Sequence, residues 1–313
     1  MPVLLVAATG GHLAQLHRLA PRIPGVGDDA VWVTFDTAQS RSLLQDQNCL
    51  FVPYNGPRDI LATAHNAQRA PGILRKVKPS LVVSTGSAVA VSFLPLARLA
   101  GIPAAYIESA ARADGPSLTG KIVRTVPGVQ LLSQYRHWAL PPWRYAGSVF
   151  DDFAGREVLA PRPIRNVVVT LGTIGYGFRR LVDRVMRILP AACEVTWQVG
   201  ATDAKGLGTR AFSSIPSGTL QSKMRVADVI IAHAGIGSAL ASLELGKCPI
   251  LVPRVAAHAE HVDDHQQQIA EALHARGLAV HRSVESLSTA DLQTAARRVI
   301  ECHRSSKPLG ISI

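Results

Sequence analysis

The chain has 313 residues and a formal net charge of +11, with 47% hydrophobic and only 5% aromatic residues. This length and aliphatic content suit two domains with α/β packing rather than a β-sandwich. The four cysteines, Cys49, Cys193, Cys248 and Cys302, show no metal or redox spacing and point to a reduced, cytosolic chain, and the basic surplus comes with no RNP-like, zinc-finger or helix-turn-helix signature, which argues against nucleic acid.

Met1-Pro2 leads directly into an apolar strand, Val3–Ala7, so no signal peptide is expected. Thr9-Gly10-Gly11-His12 forms a tight turn, and Leu13, Leu16 and Leu19 begin a helix, the βα opening of a doubly wound domain. A third glycine at dinucleotide-fingerprint spacing is missing, so Asp36, just after the strand at 31–34, reads as a turn or capping residue rather than a ribose ligand. The strand at 81–84 and the turn Thr85-Gly86-Ser87 repeat the plan. The longest apolar run, 86–107, is interrupted by Pro95, Arg98, Gly101 and Pro103 and reads as helix, turn and strand rather than a membrane span. Glu108-Ser109 falls at the C-terminal end of the strand Ala104–Ile107, where open α/β sheets place ligand sites. Residues 110–121 suit an ordered loop leading into a helix, and strands at 129–132 and 145–149 close the half. Residues 151–165, with Pro161 and Pro163, read as an irregular linker, giving domains at 1–150 and 151–313.

The second half opens like the first, with a strand at 167–170 and a turn at Gly172-Thr173. A strand at 195–199 and a flexible loop at 201–210 follow. Residues 229–232 form a buried strand, and His233-Ala234-Gly235-Ile236-Gly237-Ser238 opens a helix that stops at Gly246. After the strand Ile250–Val252, Asp263 and Asp264 sit where an N-cap belongs, ahead of Ile269 and Leu273. A strand at 278–281 and a helix at 292–300 end the chain. Two consecutive strands thus point at helix N-termini, whose free N–H groups favour phosphate. Gly235 and Gly237 allow close approach, Ser238 adds a hydroxyl, and His233, Gly172 and Thr173 flank the same point; helix capping and a strand-end histidine are the plainer readings. Glu244 suits ribose hydroxyls, and Gln266 and Gln267 suit sugar hydroxyls.

The run His-Ala-Gly-x-Gly-Ser with Glu244, Gly246-Lys247, Pro249 and Asp264-His265-Gln266-Gln267 resembles the donor half of glycosyltransferase family 28, which includes the MurG-type lipid II enzyme and the catalytic subunit of the dolichol-pathway GlcNAc transferase. Ile107-Glu108-Ser109, Arg112 and Pro116-Ser117-Leu118-Thr119-Gly120-Lys121 resemble the acceptor subunit of that transferase and of bacterial exopolysaccharide transferases. The resemblance covers nearly the whole chain, acceptor half first, but the eukaryotic acceptor subunit's membrane anchor has no counterpart, so any membrane contact is expected to be peripheral.

The resemblance implies a GT-B fold, α/β, with two Rossmann-like doubly wound domains facing across a cleft. It implies an inverting transferase moving a sugar from a UDP-sugar to a polyprenyl-diphosphate-linked saccharide, in the cytoplasm on the inner face of the cell membrane. No cofactor is expected beyond the UDP-sugar co-substrate, and with no acidic cluster in view no metal is expected either. The base is His12, from the Gly-Gly-His turn, or Glu108; Gly11, Ser109, Arg112 and Lys121 are candidate acceptor contacts. The excess charge is larger in residues 1–150 (14 basic, 7 acidic) than in 151–313 (19 and 15), which favours an anionic membrane or acceptor against the first half. Two rivals are a GT-B nucleotide-sugar 2-epimerase and a non-catalytic subunit of a polysaccharide assembly complex. The sequence does not specify the sugar; a glucuronate donor would want a cation, for which Arg254 is placed.

Overall fold

The computed structural model describes residues 1–56, 59–158, 163–173, 175–190, 192–303 and 307–312. The chain divides into two compact units, Met1–Asp151 with Ser305–Ile313, and Asp152–Arg304. The last residues therefore group with the first unit, whereas the sequence assigns everything after 150 to the second.

The first unit runs β1 (Val3–Ala7), α1 (Gly11–Leu19), β2 (Val31–Phe35), α2 (Ala38–Leu43), β3 (Asn48–Val52), α3 (Ile60–Val77), β4 (Leu81–Gly86), α4 (Ala88–Leu99), β5 (Ala104–Ile107), α5 (Leu118–Val123), β6 (Val129–Ser133) and β7 (Trp143–Tyr145). Its seven strands form a parallel sheet in the order β3-β2-β1-β4-β5-β6-β7. Every residue of β1 and β4 is buried, which is why these strands read as unbroken apolar runs: helices cover both faces of such a sheet. Leu4, Val6, Val33, Phe35, Val82, Phe93 and Tyr106 share one core. Local chemistry sets the helix starts. The Asp59 carboxylate accepts from Ala62 N at 2.9 Å to open α3, and the Ser117 hydroxyl accepts from Gly120 N at 3.1 Å to open α5.

The second unit runs β8 (Phe153–Glu157), β9 (Asn166–Thr170), α6 (Arg179–Ile188), β10 (Glu194–Gln198), β11 (Ala211–Phe212), α7 (Ser217–Val226), β12 (Val229–His233), α8 (Ile236–Glu244), β13 (Ile250–Val252), α9 (His265–Ala275), β14 (Val280–His281), α10 (Thr289–Ala296) and β15 (Arg298–Cys302). Six strands form a parallel sheet in the order β11-β10-β9-β12-β13-β14. Each unit therefore grows outward from its first core strand in one direction and then reverses, between β1 and β4 and between β9 and β12. Such reversals splay the adjoining loops apart and make the crevices where doubly wound sheets bind ligands.

Several expectations are corrected. The stretch read as an irregular linker contains β8, which pairs antiparallel with β15 (Phe153 opposite Cys302, Glu157 opposite Arg298); Pro161 lies outside the described residues. The helix expected over 292–300 ends at Ala296, because residues 298–302 gain ladder partners in β8. The edge strands β3 and β11 are additional to the expected ones: β3 (NCLFV) is apolar but only partly buried, and β11 is two residues long. The strand expected at 145–149 sits earlier, as β7, and the 201–210 loop ends in a 3₁₀ turn, Gly208–Arg210, leading into β11. Among the described residues no helix is long and apolar enough to cross a membrane.

A Cβ on Gly155, in β8, would stand 2.3 Å from the carbonyl oxygen of Gly277. Backbone cannot yield as a flexible side chain does, so Gly155→Ala is expected to destabilise the second unit by about 1–3 kcal/mol, read as a lower urea midpoint.

Candidate functional site

In the first unit the reversal lies between β1 and β4. The Thr9–His12 turn leaves β1 there, clamped from α2: Gln39 Oε1 accepts from Gly10 N at 2.8 Å, and the Thr9 and Thr37 hydroxyls lie 2.9 Å apart. Gly10 takes φ +85°, open to glycine and awkward for other residues. His12, in the first turn of α1, donates from Nδ1 to the Thr85 carbonyl at 2.7 Å, and the Thr85 hydroxyl returns a bond to the His12 carbonyl at 2.8 Å. With a proton required at Nδ1, Nε2 is the basic nitrogen of the neutral ring. The ring fills space left by Gly86, where a Cβ would meet it at 3.2 Å.

Glu108 occupies the neighbouring strand end and is fully buried. One carboxylate oxygen accepts from Ser109 N (2.9 Å) and the Tyr106 hydroxyl (3.2 Å), the other from Ser117 N (2.8 Å) and the Ser117 hydroxyl (3.0 Å). Four donors and no acceptor describe an ionised carboxylate. Burial pushes its pKa up, and the donors from Ser117, Ser109 and Tyr106 pull against that without cancelling it. This geometry makes Glu108 the anchor of the 109–117 loop. Gly120 makes the anchor possible, since a Cβ there would lie 2.2 Å from Oε2. Ser109 is buried too and accepts from Gln15 Nε2 at 3.1 Å, while Arg112 is half-buried and Lys121 exposed. Sequence reading missed Gln15 and Gln134, both fully buried. Gln15 Oε1 accepts from Ala110 N (2.7 Å) and Gln134 Nε2 (3.1 Å), and Gln134 also donates to the Glu108 carbonyl at 3.0 Å. Nothing in a single sequence separates such a glutamine from a surface one.

In the second unit the reversal lies between β9 and β12, and a histidine again bridges it. His233, the last residue of β12, is buried and donates from Nδ1 to the Thr170 carbonyl of β9 at 3.3 Å. Its imidazole occupies the volume that side chains at Gly172 and Gly235 would need: a Cβ would lie 2.7 Å from the ring at Gly172 and 2.3 Å at Gly235. The glycines expected to admit an anion thus first admit an imidazole. Burial lowers the His233 pKa to about 3, helped by the positive charge of Arg254. Gly235 is the N-cap of α8 and offers no side-chain cap, so the N–H groups of Ile236, Gly237 and Ser238 open the helix without one. Glu244 is exposed and is the last residue of α8; Thr173 is exposed beside Gly172.

Other donor-side expectations fare differently. Gln266 is buried, and its Oε1 accepts from Arg254 N at 3.1 Å, so it brackets the backbone; Gln267 is exposed and bonds Glu271 one turn on. Arg254 is only 1% exposed, its guanidinium bonded to the carbonyls of Leu171 (2.7 Å), Tyr176 (2.7 Å) and Glu260 (3.3 Å). It ties the β9 turn to the segment after β13 and is not presented to a sugar carboxylate. Asp264 occupies the N-cap position of α9, but its carboxylate accepts from Ala256 N at 2.7 Å and makes no cap bond. Asp36 forms an exposed ion pair with Arg41. His261, Asp263 and His265 converge before and at the start of α9, although no metal is expected from the sequence.

Two sheets of this strand order, each with a turn and helix N-terminus at its reversal, define the GT-B class of fold. The glycosyltransferase SnogD from Streptomyces nogalater superposes with a TM-score of 0.59 at 18% identity, covering 95% of this chain and 93% of that one. Acinetobacter baumannii MurG gives 0.57 at 18% identity, covering 94% and 89%. Within that class, residues 166–299, the core of the second unit, match the glycosyltransferase family 28 C-terminal domain. The UDP-N-acetylglucosamine–N-acetylmuramyl-(pentapeptide) pyrophosphoryl-undecaprenol N-acetylglucosamine transferase of Nitratidesulfovibrio vulgaris Hildenborough is 30% identical over 245 residues, which are 72% of this chain. The chain spans 64% of that relative's length.

Two tests follow from these contacts. Glu108→Gln replaces one acceptor oxygen with an amide facing N–H donors, and losing bonds to a charged acceptor is expected to remove about 1.5–3 kcal/mol of stability in urea unfolding. For His233, the unfolded ring protonates near its ordinary 6.5 and the folded one only near about 3. The unfolded state therefore binds more protons between those values, so stability is full above about pH 6.5 and declines as pH falls toward about 3. The depressed His261 and His281 act in the same direction. In His233→Asn the slope of stability against pH across that window should flatten, whatever the variant's absolute stability.

Proposed function

We propose that the chain transfers a sugar, with inversion, from a UDP-sugar to a lipid-linked saccharide acceptor of the polyprenyl-diphosphate class. The observation that carries this reading is the end of β12: a buried neutral histidine, an uncapped helix N-terminus and Glu244 at the far end of the same helix, inside the domain matched to family 28. The N–H groups of Ile236, Gly237 and Ser238, with the Ser238 hydroxyl and the turn at Gly172-Thr173, would hold the diphosphate and stabilise its charge as it leaves. His233, held neutral, supports the glycine turn and adds no charge of its own. A carboxylate at the C-terminal end of a helix opposes the dipole by about 0.3–1 kcal/mol, so helix stability does not account for Glu244. Helical side chains lean toward the N-terminus, which aims Glu244 back along the about 12 Å of α8, a placement suited to ribose hydroxyls. Gln267 remains a candidate sugar contact, while Gln266 is buried against the Arg254 backbone.

On the acceptor side, His12 is the base we favour over Glu108. Its Nδ1 donates to a backbone carbonyl, which makes Nε2 the basic nitrogen of the neutral ring, the form a general base needs. Glu108, Ser109 and Gln15 position the loop bearing Arg112, while Gly11, Arg112 and Lys121 face the acceptor phosphates. Leu118 (59% exposed) and Ile122 (42%) lie on α5 beside exposed Lys121 and Arg124, a combination suited to peripheral contact with an anionic membrane on its cytoplasmic face. The named relative uses a UDP-sugar and a pyrophosphoryl-undecaprenol acceptor, which supports the same classes of donor and acceptor here.

The test is UDP release from a panel of UDP-sugars with and without membrane lipid extract. Turnover should require the lipid, and free sugar or epimer from donor alone would favour the epimerase instead. Glu244→Ala should weaken UDP binding by about tenfold or more, about 1.4 kcal/mol, without lowering the melting temperature. His12→Asn should keep UDP affinity and lose about a hundredfold or more in turnover. Unchanged UDP affinity in Glu244→Ala would refute the donor assignment.

A further inference from the structure

We propose that His261, Asp263 and His265 form a binding site for a late first-row divalent cation, zinc foremost, at the entrance to α9. This goes beyond the transferase reading and does not depend on it. The candidate ligand atoms, two imidazole nitrogens and a carboxylate oxygen, all lie within 4.8 Å of one another. Asp263 gathers both nitrogens: Nδ1 of His261 meets the Asp263 carbonyl at 3.1 Å and Oδ1 at 3.4 Å, Nδ1 of His265 is in closer contact with Oδ1, and the two rings stand edge to face at 4.7 Å. Two imidazoles and one carboxylate are a donor set that zinc takes in three-ligand sites, with a fourth position for water. Magnesium and calcium want oxygen ligands throughout and are poorly served. Zinc bonds of about 2.1 Å place tetrahedral ligand atoms about 3.4 Å apart, so side-chain rotation is enough to close this set on an ion.

The segment carrying these ligands is independently held. Ala256 N is bound by Asp264 Oδ1 (2.7 Å) and Val255 N by Glu260 Oε2 (3.1 Å), and the buried Glu260 carboxylate takes Arg180 on both oxygens (2.9 and 3.0 Å). Ala259 is kept at φ +54°, a conformation a non-glycine residue holds only when its surroundings enforce it. The imidazoles are already largely withdrawn from water, with 12% and 20% of their side chains exposed, while Asp263 keeps 39% and leaves an entry path. The N-terminus of α9 disfavours a cation, an effect small beside ligation by three groups.

The experiment uses the untagged full chain, stripped with chelator, freed of it by dialysis, and titrated with zinc chloride alone by calorimetry. Cobalt(II) serves as a spectroscopic reporter. One zinc per chain, with cobalt d–d bands of a low-coordinate N,O site, is the expected result. Asp263→Asn and His265→Ala should each lose about tenfold or more in zinc affinity, whereas His65→Ala, at an exposed histidine of the first unit, should match wild type. Circular dichroism melts establish folding; should His265→Ala fail to fold, the isosteric Asp263→Asn decides alone. No zinc uptake by wild type, or uptake of equal affinity and stoichiometry in the Asp263 variant, overturns the proposal.

Discussion

Each sheet is bridged at its reversal by one imidazole bonded to the backbone of a neighbouring strand: His12 to Thr85, and His233 to Thr170. The second bridge is the more constraining. A ring that fills the Cβ volumes of both Gly172 and Gly235 fixes the end of β9 against the end of β12. The constraint propagates, because Gly200 in turn would meet the Gly172 carbonyl at 2.5 Å if it carried a Cβ. Two glycines in different loops are therefore required by the packing of one side chain, and a third by the backbone of one of them. The helix that starts at Ile236, three residues after His233, inherits its position from that packing. Buried desolvation keeps the ring neutral, so the rigidity comes without a cation competing for the anion that the helix N-terminus is suited to hold.

The first unit solves a similar problem with a carboxylate. Glu108 satisfies two backbone N–H groups and one hydroxyl of the loop that follows β5, together with the Tyr106 hydroxyl of β5 itself, and Gln15 and Gln134 close the same network from α1 and from the end of β6. Buried polar networks of this kind are costly when partly satisfied and specify one conformation when complete. The loop's half-buried Arg112 and the exposed Lys121 of α5 thus sit on a scaffold rigid enough to carry them.

What the sequence revealed follows from what each element buries. β1, β4, β9 and β12 are central parallel strands, buried on both faces, and their apolar runs stand out. The strand–turn–helix units at Gly10-Gly11 and Gly235–Ser238 are equally legible, because glycine and small polar residues at a strand end have few other uses. β8 and β15 were illegible since each is a strand only through the other, and residues 298–302 continue a helical pattern until the ladder claims them. Roles were harder than elements. Arg254 looks from its position like a ligand for an acidic sugar, yet a guanidinium with three carbonyl partners and 1% exposure is structural. Gln266 and Gln267 are adjacent in sequence and alike in chemistry, and only helix rotation decides that one is buried and the other exposed.

His261, Asp263 and His265 show the same limit from the other side. Residues spaced two apart would share one face of a strand, but no strand covers 261–265, and on a helix Asp263 would lie away from the two histidines. They meet because a turn through left-handed Ala259, gripped by Glu260 and Asp264, folds the segment back before α9 begins. Arg180 completes that grip from α6, and Arg254 ties the same segment to the β9 turn. These contacts brace the segment from both sides and order it without any ligand. That preorganisation lets three modest side chains act as a single binding site, since the ordering entropy that would otherwise oppose ligation has already been met by folding.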